Sequence, residues 1–133
     1  MISLRQIANT MVEVLQQEIP EVIWQANVMG AQWPKILTGF ICCDSIDYTV
    51  IAKDRLSGTA RFTIEIIHPA PKEETPDIHV IEDYAQKVHK VLLSPWRGQD
   101  ETPLDAKVER IQFATPAGIN TIGLAILQVQ VII

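Results

Sequence analysis

Side chains able to do chemistry are few in this 133-residue chain, and their spacing limits what they can do. The histidines are His68, His79 and His89. His79 and His89 bracket one predicted helix ten residues apart, which sets them roughly 80° apart around its axis and nearly three turns apart along it. They cannot grip one ion together, and each reads as a structural histidine at an element end. Cys42 and Cys43 are adjacent. Strand neighbours point to opposite faces, and redox pairs place two residues between their thiols, so these two read as small packing residues. Carboxylates pair at Glu73-Glu74, Glu82-Asp83 and Asp100-Glu101. Acid–base work needs an apolar pocket or a like charge held close, whereas these fall in loops or on a polar helix face and read as solvated charge. GxGxxG, GxxxxGK(S/T), GxSxG and HExxH are all missing, so phosphate-cradling loops, a nucleophile elbow and a zincin helix are unsupported. The expectation is a protein without catalytic residues, metal ligands or cofactor.

Contact chemistry is better represented. Trp24, Trp33 and Trp96 lie near predicted loops or element ends, where a large aromatic is either a lid on the core or an anchor in a contact surface. Trp24 reads as a lid. Trp96 stands beside Arg97, and Trp with Arg is the pairing that interface hot spots favour.

The elements that must position these groups follow from periodicity. Ser3 and Gln6 have capping-box spacing, and Leu4, Ile7, Ala8, Met11, Leu15 and Ile19 recur at helical intervals before Pro20, which predicts a helix over residues 3–18. Short apolar runs at 22–28 and 36–43, separated by Gly30 and Pro34, predict two strands joined by a loop. Residues 46–53 and 60–67 alternate, and the linker 53–59, KDRLSGT, is rich in turn residues. Together they predict a hairpin. Pro69, Pro71 and Pro76 hold an extended connector, after which Ile78, Ile81, Ala85, Val88 and Leu92 predict a helix from near Asp77 to Ser94-Pro95. Residues 96–103, WRGQDETP, read as a polar loop, and 108–113 and 119–131 as a last strand pair around Pro116-Ala117-Gly118. Because the strands come in runs, the pattern predicts one α+β domain over 1–133: an antiparallel or mixed β-sheet with two helices packed on one face.

Composition agrees with a folded core. Apolar residues make up 47% of the chain and charged ones 20%, with 6 Gly and 8 Pro, which excludes a disordered or low-complexity class. The net charge of −5 gives counterion release little to work with, so no nucleic-acid specificity is expected. Residues 1–9 show no basic flank followed by an apolar run, and no secretory signal is expected. The uncharged stretch 111–133 is long enough to span a bilayer, but Pro116, Gly118, Asn120, Gln128 and Gln130 interrupt it, so it reads as sheet and no membrane partner is expected.

Charge is unevenly spread, with one charged residue in 22–43, none in 111–133 and twenty-two in 44–110. A strand without charge is covered on both faces or paired with another molecule, which predicts a homo-oligomer. The predicted contact elements are the hairpin linker, with Lys53, Asp54, Arg55 and Leu56, and the loop opening on Trp96 and Arg97. The C-terminal strand is a third, through Val131 and Ile133. Both the linker and the loop are expected to be exposed.

The opening helix ending QQEIP, the KDRLSGT hairpin, the helix IHVIEDYAQKVHKVLL and the uncharged ending TPAGINTIGLAILQVQVII together resemble the tail terminator proteins of tailed bacteriophages. The resemblance covers most of the chain and rests on length, element order and composition. It implies a small α+β subunit that forms a ring, usually of six, in the tail or neck of a virion after assembly in a host cytoplasm. Such a ring caps the tail tube, stops its growth and presents a surface to the head, so its partners would be the tail tube protein and a head-completion protein. The mixed signs of Lys53, Asp54 and Arg55 leave the polarity of any tube contact open. A head-tail connector or neck protein shares the size and ring habit, and a small-molecule-binding α+β domain is the reading from a different class.

Overall fold

A computed structural model describes residues 4–26, 33–52, 55–70, 76–93, 96–97, 103–116, 119 and 121–132. Among these, the chain forms α1 (Leu4–Glu18), β1 (Ile23–Ala26), β2 (Thr38–Ala52), β3 (Arg55–Pro69), α2 (Ile78–Leu93), β4 (Trp96–Arg97), β5 (Pro103–Ala114) and β6 (Ile122–Ile132). The order of strands across the sheet is β1-β2-β3-β6-β5, with the two-residue β4 continuing the β5 edge. β1 runs parallel to β2, and every other pair is antiparallel. The architecture is a mixed sheet carrying two helices, a single α+β domain.

Both helices bury an apolar stripe of about 3.6-residue period. Ile7, Ala8, Met11 and Leu15 of α1 and Ile81, Ala85, Val88 and Leu92 of α2 join one core with Ile41, Phe62, Ile64, Ile66, Ala125, Leu127, Val129 and Val131. The β3 and β6 residues of that set are every second one along each strand, so they share a face, and both helices lie on it. α1 sits over β1 and β2, and α2 over β5, β6 and β3. Asp77 starts α2 where predicted, its carboxylate accepting from the His79 N–H at 2.9 Å while its carbonyl accepts from Val80 and Ile81.

The junction of α1 and β1 is held by side chains. Gln16 donates from Nε2 to the Val22 carbonyl (2.9 Å) and accepts the Trp24 N–H on Oε1 (3.1 Å). Trp24 is buried as a lid, its Nε1–H bonded to the Ile19 carbonyl at 3.1 Å. A Cβ on Gly39 would fall 2.2 Å from the Trp24 ring, so only glycine lets β2 pass beneath it.

Three sequence expectations change. The runs 36–43 and 46–53 are not separate strands: β2 is continuous, and one bulge between Cys43 and Ser45 absorbs the Asp44 irregularity. The linker is shorter than 53–59, because the ladder runs on to Ala52↔Arg55 and leaves only residues 53–54 between the strands. The stretch 96–103 is not loop at its ends, since Trp96 pairs with Leu104 and Arg97 with Pro103. Physically, each end satisfies backbone groups by pairing, which outweighs local turn composition.

Candidate functional site

A sheet with helices on one face leaves the other face and its edges as the surfaces open to chemistry or contact. On the open face β2 offers Cys42, Ser45 and Asp47, which stand opposite Thr63, Arg61 and Thr59 of β3. Bulged Asp44 joins them by accepting the Thr63 hydroxyl, and Arg61 pairs with Asp47 at 2.5 Å. Farther across, Gln128 and Gln130 of β6 stand beside Arg110 and Lys107 of β5. A small apolar cluster of Ile67, Ile122 and Leu124, with Phe40 and Ile119, closes one end of this face. At the other end Ile132 is 54% exposed.

Among the described residues, β2 and β3 outrun the rest of the sheet. β6 ends its pairing with β3 at Thr59↔Ile132, yet β2 and β3 continue together from Tyr48↔Gly58 to Ala52↔Arg55. This two-stranded arm projects by about 15 Å at 3.3 Å per residue. Its outer backbone edge, and that of β5 from Asp105 to Ala114, have no strand partner among the described residues.

The thiols fit packing rather than nucleophilic chemistry. Burial first, then the carboxylates of Glu65 and Asp44, pushes the Cys42 thiol up from its ordinary value, and burial pushes Cys43 up as well. Both stay protonated at neutral pH, the inert form of a thiol. Cys43 packs at the margin of the core and donates to the Ser45 carbonyl, while Cys42 is on the opposite face. His79 is exposed beside Glu82 at 3.6 Å. Among the described residues His68 Nδ1 is buried without a hydrogen-bond partner, and no three His, Cys, Asp or Glu side chains converge as for a metal ion. No helix among them is long and apolar enough to cross a membrane.

The residues expected to make contacts fall in different places. Lys53, Asp54 and Ile133 lie outside the described residues. Arg55 and Leu56 open β3 at the arm's tip, and Trp96 and Arg97 form β4 at the β5 edge. Val131 is buried in the chain's own core, facing the helices between Ala60 of β3 and Ala106 of β5, so it is not a surface residue. β6 is an inner strand, and its lack of charge is accounted for at 122–125, which are covered on both faces. Sequence reasoning missed Asp44, Asp47, Lys107 and Arg110. The available signal was the break in alternation at Asp44-Ser45 and at Glu109-Arg110, each of which marks a bulge.

No protein-family model matches the chain, and no curated protein matches it.

Proposed function

We propose that the protein is a non-catalytic structural subunit that assembles as a ring of six, caps a bacteriophage tail tube, ends its growth and presents the surface to which the head joins. The tail terminator resemblance supplies the ring number and the partners: further copies of the chain, the tail tube protein and a head-completion protein, in the tail or neck of a virion assembled in the host cytoplasm. One observation carries the reading. Among the described residues the β2–β3 arm extends beyond every other strand, and a two-stranded ribbon is marginal alone, so it gains stability by lying on another molecule. The protonated thiols and scattered histidines suit a subunit whose work is contact.

Native mass spectrometry and negative-stain imaging of purified protein test this directly. A closed ring is expected, and adding it to polymerising tail tube protein should shorten the tubes. A ring that binds the head side without changing tube length would support a neck connector instead. A single subunit stabilised by a metabolite would replace the reading with a small-molecule-binding domain.

A further inference from the structure

We infer that copies of this chain join edge to edge, β5 of one copy pairing antiparallel with the stretch of β2 that begins at Cys42, beyond its pairing with β1, in the next. The sheet directions permit it: β2, β3, β6 and β5 alternate, so β5 and β2 are antiparallel in copies that face the same way. These are the two long edges without a strand partner among the described residues.

Charge and side-chain parity select one register. With Lys107 opposite Asp47, Arg110 falls opposite Asp44, and all four side chains are exposed. Lys107, Arg110 and Asp47 are on the open face by their ladder partners, and Asp44 reaches it through Thr63. In the same register Val108 meets Ile46 and Ile111 meets Cys43. These four lie on the helix face, partly buried at the margins of the core, so pairing would join two core margins into one. Each edge carries one extra residue in this interval, at the Cys43/Ser45 bulge of β2 and the Val108/Arg110 bulge of β5. A bulge on a single edge would throw the faces out of phase and block pairing, whereas one on each keeps them in phase. Unlike edges meeting head to tail give a closed ring when the rotation closes. Closure rests on the ring proposed above, while the register rests on the two edges alone.

The test is reciprocal charge reversal. Lys107→Glu with Arg110→Glu, and separately Asp44→Lys with Asp47→Lys, should each reduce the native mass to a single subunit. An equimolar mixture of the two should restore the wild-type mass, because each seam is then complementary again. Carbodiimide treatment of the wild-type protein, read by peptide mass spectrometry, should join Lys107 to Asp47. Three strand spacings, about 14 Å, separate these residues within one chain, so such a link arises between copies. If either variant misfolds by circular dichroism, the cross-link decides. Wild-type rings with both variants still assembled, or rings without that link, would overturn this register and leave the ring standing. A wild-type single subunit up to its solubility limit would overturn both.

Discussion

Gly39 is the residue on which the α1–β1 side of the core turns. The Trp24 ring above it is held by the bond to the Ile19 carbonyl, so an added methyl group meets a pinned ring and not a flexible chain end. Gly39→Ala should cost roughly 1–3 kcal/mol, visible as a lowered thermal midpoint. The cysteines give a second prediction at this scale. With both thiols raised, iodoacetamide should modify them more slowly than a free thiol near neutral pH, the rate climbing only above the ordinary value of 9.0. Asp44 raises both thiols, so Asp44→Asn should speed the reaction, and an unchanged rate would remove that carboxylate as a cause. The sign of the linkage is the same. A folded-state pKa above the unfolded one adds stability that is whole below pH 9.0 and declines as pH rises past it.

Among the elements, β6 shows how strand position sets the meaning of a residue. Val131 and Ile132 are sequence neighbours of similar hydrophobicity, one without exposure and the other more than half exposed. Val131→Lys would bury an unpaired charge beneath the helices and should cost roughly 3–5 kcal/mol, a large share of the stability of a domain this size. Ile132→Lys places the same charge in water on the open face and should leave the unfolding free energy from urea titration within about 0.5 kcal/mol of wild type. Equal loss in both variants would contradict the inner-strand placement.

For the whole molecule, the question is what covers the arm and the unpaired edges. If opposite charges hold those edges together between copies, assembly depends on ionic strength, because exposed charges are screened over a Debye length that shrinks from about 10 Å at 0.1 M salt to about 3 Å at 1 M. Sedimentation should therefore show the ring dissociating as salt rises. A ring indifferent to salt would place its cohesion in the apolar margins around Val108, Ile111, Ile46 and Cys43.

Local periodicity in the sequence by itself determined both helices, because a 3.6-residue apolar stripe such as Leu4 to Leu15 has one economical burial. Alternation likewise determined which residues of β3 face the core, Phe62, Ile64 and Ile66 against Arg61, Thr63 and Glu65, since strand side chains alternate strictly. Only the tertiary structure decided the strand order β1-β2-β3-β6-β5. That order depends on non-local hydrogen bonds between backbones, which carry no residue signature, and it turns β6 into an inner strand and β5 into an edge. The same cause hid the candidate contact residues. Asp44 and Asp47 stand sixty residues and more from Lys107 and Arg110 in the chain, and what relates them is their equivalent place on the two edges of one folded sheet.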